Sequence, residues 1–240
     1  MVNDGLIHIK TVYNSKTLLY NESMESNDIT IIPESNFGNC STLPPENELV
    51  KLNSSDLIGN FLASPGSLSD IVKNKIWIIS DTHFHHRRIL EYEASSRPFK
   101  DIDEMNEELI CRWNKKVGPN DIVFHLGDFS FGNRKRIKDI TSRLNGRKFL
   151  LLGNHDREHF YDWIDLGFER VFRDPFIMDD KFIFSHEPLA EIPEGKVNVY
   201  GHVHGSSHFN TADSNRICVC VERWNCTPVD YDVVRSTSYN

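Results

Sequence analysis

An α/β fold, with two sheets packed together and helices outside, is what this chain predicts from residue 74 onward. Three observations point to it. Short unbroken apolar runs of the kind that form fully buried strands recur at Ile76 to Ile79, Ile122 to Leu126 and Phe149 to Leu152. Stretches with apolar residues at helical spacing lie between them. The remainder is mostly strand-like, which suggests a second sheet packed on the first.

Each element has a local reason. Ile76 to Ile79 is apolar throughout, as burial on both faces requires. From Asp103 to Val117, residues Met105, Leu109, Ile110 and Trp113 fall on one helical face. Asp101 or Asp103 caps the start of this helix, and Gly118-Pro119 stops it. Ile122 to Leu126 is the second strand. Arg134 to Leu144 is a second helix, with Ile137, Ile140 and Leu144 inward and Asn145-Gly146 at its end. Phe149 to Leu152 is the third strand. Lys181 to Ser185, Val197 to Tyr200 and Ile217 to Val221 are further strands.

Residues 1–73 differ in composition. They are rich in Asn, Ser and Thr and hold one of the chain's 11 histidines, His8. Leu6 to Tyr13 and Thr17 to Tyr20 flank Asn14-Ser15-Lys16, a hairpin pattern, and Ile29 to Ile32 is a short β-branched run. Turn residues and polar tracts dominate from Pro33 to Asn60. The segment reads as an N-terminal polar appendage, either a small β module or a partly disordered stretch. The expected organisation is residues 1–73 as this appendage, with no function assigned, and residues 74–240 as the chemical domain.

The formal net charge of −8 opposes binding of long nucleic acid, although nucleotides stay within reach. Five cysteines without a repeated spacing read as reduced thiols of a cytoplasmic protein. Cys218 and Cys220 point the same way along a strand and read as packing rather than a zinc site. No segment is apolar enough to span a membrane, and the first ten residues lack a signal-peptide core.

Chemistry concentrates at the ends of the strands. Asp81-Thr82-His83 follows the first, and residues i and i+2 of an extended segment share a side. Gly127-Asp128 follows the second, with a carboxylate able to bridge two cations. Gly153-Asn154-His155-Asp156 follows the third. Ser185-His186-Glu187 and Gly201-His202-Val203-His204 follow two of the later strands. Any one of these is ordinary turn chemistry, but together they form a set of oxygen and imidazole ligands for two divalent metals. His85, His86, Arg87 and Arg88 come next to the first loop. The two arginines read either as partners for substrate phosphate or as a solvated basic turn, and Arg97 is a weaker candidate of the same kind. His125, inside a strand, reads as a packed core histidine, His159 as a surface residue on a helix, and Trp224 as packing.

This series, Asp81-x-His83, Gly127-Asp128, Gly153-Asn154-His155-Asp156, His186 and Gly201-His202-x-His204, resembles the calcineurin-like metallophosphoesterase superfamily. It is most similar to the small single-domain bacterial and phage members. The resemblance covers about residues 75–230 and implies a four-layer α/β/β/α sandwich of two mixed sheets. It implies that Asp81, His83, Asp128 and His204 hold one metal, and that Asp128, Asn154, His186 and His202 hold the second. By the same resemblance, His155 contacts the phosphate and assists the leaving group; Asn154 beside it, and Arg87 and Arg88 by their place next to the first loop, are the further candidates to meet the substrate. Asp156 would orient His155 by a hydrogen bond. The implied activity is hydrolysis of phosphoric esters, diesters first, by attack of a metal-bridging hydroxide. The cations would be Mn²⁺, Fe²⁺, Zn²⁺ or Ni²⁺, with Mn²⁺ favoured. A phosphomonoesterase or protein phosphatase on the same site is the alternative, as is a catalytically silent metal-binding scaffold.

Overall fold

The structure is a computed structural model and describes residues 10–13, 16–19, 43–59, 74–156, 160–206 and 215–237. The chain divides into two compact units, Met1–Asn39 and Cys40–Asn240. In the first, β1 (Lys10–Tyr13) and β2 (Lys16–Leu19) pair antiparallel with Tyr13 opposite Lys16, the hairpin expected there. Its turn residues Asn14 and Ser15, and the run Ile29 to Ile32, lie outside the described residues.

The second unit holds two mixed five-stranded sheets with helices. In chain order its strands are β3 (Val50–Leu52), β4 (Ile76–Ile79), β5 (Ile122–His125), β6 (Arg147–Leu151), β7 (Arg170–Phe172) and β8 (Phe176–Met178). They continue with β9 (Phe182–Ser185), β10 (Val197–Tyr200), β11 (Arg216–Cys218) and β12 (Val229–Asp230). The first sheet has the order β12-β4-β5-β6-β7, parallel except for β12. The second has the order β11-β10-β9-β8-β3, with one antiparallel step between β8 and β9. The six strands read from sequence are present, each within two residues at its ends except the last. The sequence reading carried that strand to Val221, whereas β11 stops at Cys218 and Val221–Trp224 is a 3-10 turn.

One expectation changes. Residues 43–59 were assigned to the appendage, yet they join the second unit. Val50–Leu52 is the edge strand of the second sheet, Lys51 opposite Ile177, and α1 (Ser54–Gly59) follows it. Tyr231 Oη donates to Asp179 Oδ2 at 3.0 Å, and the same carboxylate accepts from Ser54 N and Oγ at 2.7 and 2.8 Å. The strand is three residues long with only Leu52 fully buried, too short to announce itself by pattern.

The two sheets face each other across one apolar core. Ile76, Ile78, Phe124 and Phe149 from the first sheet pack with Phe176, Phe182, Phe184 and Val199 from the second. Phe176 and Phe184 stack at 5.0 Å, with Phe124 at 5.4 Å from Phe176. The helices bury one stripe each. In α3 (Ile102–Lys116) the stripe is Met105, Leu109, Ile110 and Trp113, and in α4 (Arg134–Arg143) it is Ile137 and Ile140. Asp101 is the cap of α3, its carboxylate accepting from Glu104 N at 2.9 Å, and Asn133 caps α4 in the same way. Short helices α2 (Ile89–Tyr92), α5 (Phe160–Asp165) and α6 (Tyr231–Thr237) complete the unit. No helix among the described residues is long and apolar enough to cross a membrane.

Candidate metal centre

Parallel pairing brings the carboxyl ends of β4, β5 and β6 to one rim, and those of β9 and β10 likewise. Backbone hydrogen bonds then fasten the following loops together. Ser80 N donates to Val219 O and Val221 N to Ser80 O, both at 3.2 Å, which stitches the first sheet to the chain beyond β11. Asp81 N donates to Gly127 O and His83 N to Asp128 O, both at 3.0 Å. The backbone is not extended here, as the alternation argument assumed. Asp81 (φ 59°), His83 (48°), Asp128 (57°), His202 (69°) and His204 (49°) all adopt left-handed conformations. Each costs about 1 kcal/mol or more for a residue with a side chain, so the surroundings must enforce them. Two glycines make the close approach feasible. A Cβ on Gly127 (φ +100°) would lie 2.5 Å from His186 Nδ1, and one on Gly201 would lie 2.5 Å from Asp81 Oδ2 and collide with Ser80.

Buried polar side chains hold these loops. Thr82 Oγ1 donates to Phe129 O at 2.8 Å and sits 2.9 Å from His125 Nε2, while His125 Nδ1 accepts from Gly127 N at 3.2 Å. Because the Thr82 proton is used, His125 carries its own on Nε2. Burial lowers the His125 pKa to about 3, so the ring stays neutral, and it is the packed core histidine that the sequence suggests. Asp156 corrects its expected role. Its carboxylate accepts from Asp128 N (2.7 Å), Gly153 N (2.8 Å) and Phe129 N (3.0 Å), leaving the His155 ring without a bond to it. It therefore fixes backbone in the second and third loops instead of orienting His155. Burial first, and the neighbouring Asp128 second, push its pKa up to about 6.

Arg97 is also reassigned. It is 1% exposed, so it does not reach substrate. Its guanidinium donates to Asp81 O (2.5 Å) and Thr82 O (3.0 Å), and its Nε to Glu222 Oε1 (2.8 Å). Glu222 Oε1 accepts in turn from His204 Nδ1 at 2.9 Å, turning Nε2 of that ring toward Asp81. Glu222 was missed from sequence. It lies on the 3-10 turn that follows β11, Val221–Trp224, where no apolar period or ligand pattern marks it.

The ligand atoms converge. Asp81 Oδ1 lies 3.9 Å from His83 Nε2 and 3.8 Å from His204 Nε2. Asp128 Oδ2 lies 3.5 Å from His83 Nε2 and 3.6 Å from His186 Nε2. Asn154 Oδ1 is 2.9 Å from His186 Nε2 and 3.0 Å from His202 Nδ1, and those two ring nitrogens are 3.3 Å apart. Leu126 O accepts from His186 Nδ1 at 2.7 Å, which leaves Nε2 with its lone pair when the ring is neutral. Thus Asp81, His83 and His204 could hold one cation, and Asp81, Asp128 and His186 another. The donor set fits a cation on independent grounds. Asp81 Oδ1 and both nitrogens of His83 are buried with no hydrogen-bond partner, which native proteins rarely tolerate. Coordination would satisfy Asp81 Oδ1 and one His83 nitrogen. Burial would raise the Asp81 carboxyl, but His186, His204 and His83 hold it below its usual range. Burial opposes protonation of His204, yet Glu222 and Asp81 carry it up to about 9. Carboxylates in this pocket demand positive charge.

Around the rim stand the residues beyond the first loop. His86 stacks on Phe131 (3.9 Å, 13°), which is 41% exposed and also lies 5.4 Å from His83 and 5.0 Å from His155. Arg88 lies over the Tyr92 ring at 5.3 Å. Trp224 packs against the core between the sheets. Cys220 Sγ donates to Asp81 Oδ2 and contacts Cys218 Sγ, each at 3.3 Å, so Cys220 supports a ligand of the centre. His159 and His208 lie outside the described residues.

A model of the calcineurin-like phosphoesterase family matches residues 74–233. The chain belongs to that family. As a calcineurin-like phosphoesterase it is 34% identical over 171 residues to an uncharacterized protein of Methanocaldococcus jannaschii, covering 67% of this chain and 89% of that one. It is 37% identical over 89 residues to the gene 66 protein of Mycobacterium phage D29, and 38% over 87 residues to that of phage L5. Those matches span 42% and 40% of the phage proteins and about a third of this chain. A protein of unknown function from Aquifex aeolicus shares the fold, with TM-score 0.56 and 24% identity over 68% of this chain and 98% of that one. Family membership and the clustered Asp and His groups together support a metal-dependent phosphoesterase.

Proposed function

We propose that this protein hydrolyses phosphoric esters at a dinuclear metal centre, phosphodiesters ahead of phosphomonoesters. The observation that carries the reading is the convergence of carboxylate, amide and imidazole ligands on two adjoining positions, with buried ligand atoms left unpartnered. Asp81, His83, Asp128 and His204 would hold one cation, and Asp128, Asn154, His186 and His202 the other. Asp81 and Asp128 both stand between groups, so the bridging role needs a reason. Asp81 Oδ1 is near His83 and His204, which serve one cation, whereas Asp128 Oδ2 is near His83 and His186, which serve different ones. That favours Asp128 as the bridge. Mn²⁺ is the first cation to test. Bound there, divalent cations would supply Lewis acidity toward the phosphoryl oxygens and lower the pKa of a water ligand.

The chain's own residues would do the rest. Asn154 lies at the exposed side of the centre, and the His155 ring stands at the rim beside His83 and Phe131. We assign His155 the delivery of a proton to the leaving oxygen, which an alkoxide needs more than a phenoxide does. Asp128 Oδ1 holds the His155 backbone N–H at 2.9 Å, so the bridging carboxylate and the acid are fixed to each other. The acidic charge of the chain favours nucleotides or other small esters over long nucleic acid. The free thiols of Cys111, Cys218, Cys220 and Cys226 suit a reducing compartment such as the cytoplasm.

Hydrolysis of bis(p-nitrophenyl) phosphate and p-nitrophenyl phosphate with added Mn²⁺, and again after chelation, tests the reading. The expected result is faster turnover of the diester, abolished by chelation. Turnover of the monoester alone would remove the diester preference, and inert protein with every divalent cation tried would remove the enzyme. For His155→Ala we expect retained metal and a loss on the order of 10²-fold or more with alkyl leaving groups, less with nitrophenoxide. Equal losses for both would contradict its role as the acid.

A further inference from the structure

Most arginines of this acidic chain are already engaged. Among the described residues, Arg97, Arg112, Arg134, Arg143 and Arg147 meet carboxylates, and Arg88 covers a tyrosine ring. Arg87 and Arg136 do not share this. Neither guanidinium has a carboxylate, carbonyl or ring partner among the described residues, yet both line one cavity of about 270 Å³. The remaining walls are His85, Ile102 and Asp103.

The position of the cavity is informative. His85 is two residues past His83, and Gly132 directly follows Phe131 on the rim of the centre. A Cβ on Gly132 would lie 2.9 Å from both His85 Cδ2 and Arg136 Cβ, so this glycine forms the partition between them. Asn106 fixes His85 from behind, accepting its backbone N–H at 3.1 Å and donating to Nδ1 at 2.9 Å. Arg87 comes from the loop after His83 and Arg136 from the first turn of α4, so their meeting is not the by-product of one helix face. Two guanidiniums oppose a single carboxylate, Asp103. That leaves an excess of positive charge at the cavity, which an entering anion would offset.

We propose that this cavity binds a phosphate group distinct from the one at the metal centre. The inference rests on the phosphoesterase reading and extends it. Guanidinium forks match phosphate oxygens in geometry and charge. The phosphate could be carried by the substrate as a second, non-scissile group, or be free inorganic phosphate. The chemistry of recognition is the same.

Equilibrium dialysis of radiolabelled inorganic phosphate against the full-length, metal-loaded protein tests the proposal. Two binding sites per chain are expected. Arg87→Ala and Arg136→Ala should each weaken one of them by about tenfold or more. Asp128→Asn should remove the other and keep the cavity site. Both arginines are exposed, so these variants are expected to fold. Unchanged binding in both arginine variants, or loss of all phosphate in Asp128→Asn, would overturn the cavity site. If Asp128→Asn removes neither while the arginine variants remove one, the cavity stands and the metal-centre reading falls. The source is separated by the KM of thymidine 5′-p-nitrophenyl phosphate with and without a 3′-phosphate. A roughly tenfold lower KM for the phosphorylated form, lost in Arg136→Ala, assigns the site to substrate. Equal KM values in the native protein assign it to free phosphate.

Discussion

Asp128→Asn is expected to reduce turnover on the order of 10³-fold or more, about 4 kcal/mol of transition-state stabilisation, while leaving the fold intact. Asn keeps an oxygen where Asp128 Oδ1 accepts the His155 N–H, so the backbone contact survives. It puts an amide NH₂ where Oδ2 lay, between His83 Nε2 at 3.5 Å and His186 Nε2 at 3.6 Å. A donor there cannot bridge cations, and one negative charge is gone from the centre. Metal content by elemental analysis should fall together with activity, and the melting temperature without metal should hardly change. Full activity in the variant, or loss of activity with metal retained, would show that the carboxylate is not the bridge.

Arg97→Ala is expected to be the most destabilising single change near the site. The Arg97 and Glu222 side chains are both fully buried, and removing one partner leaves an uncompensated charge. It would also free the Asp81 and Thr82 carbonyls in the loop that carries the first ligands. Breaking such a pair costs roughly 3–5 kcal/mol, which for a chain of this size lowers the melting temperature by about 10 °C. Activity at low temperature should fall too, because Glu222 would no longer hold His204 in a fixed orientation. A Glu222→Gln variant keeps an acceptor for Arg97 and should fold better than Arg97→Ala while still weakening metal binding. Thermal melts of the three proteins decide it, and a melting point for Arg97→Ala within about 2 °C of the native value would sink the clamp.

Sequence periodicity located the strands on which the site depends because those strands are fully buried. Ile76–Ile79, Ile122–His125 and Val197–Tyr200 show unbroken burial and therefore read as unbroken apolar or mixed runs. The strands that escaped notice, Val50–Leu52, Arg170–Phe172, Phe176–Met178 and Val229–Asp230, are two or three residues long, too short to display a period. The ligand residues were legible because Asp, Asn and His directly after a buried strand have few other reasons to be there. What surrounds them was not. Arg97 and Glu222 are 125 positions apart, and only the folded chain shows that they form one buried pair. The role of Asp156 was misread for a similar reason. Its neighbour His155 was the obvious partner along the chain, whereas its actual partners are backbone amides that the loops bring from Asp128 and Phe129.

The central claim is that two cations sit side by side between loops from both sheets. Anomalous diffraction from crystals grown with Mn²⁺ tests it most directly. The account predicts two peaks roughly 3.5–4 Å apart, one on each side of Asp128 Oδ2. One would be within coordination distance of Asp81, His83 and His204, the other of Asn154, His186 and His202. A single peak, or peaks away from these residues, would contradict it.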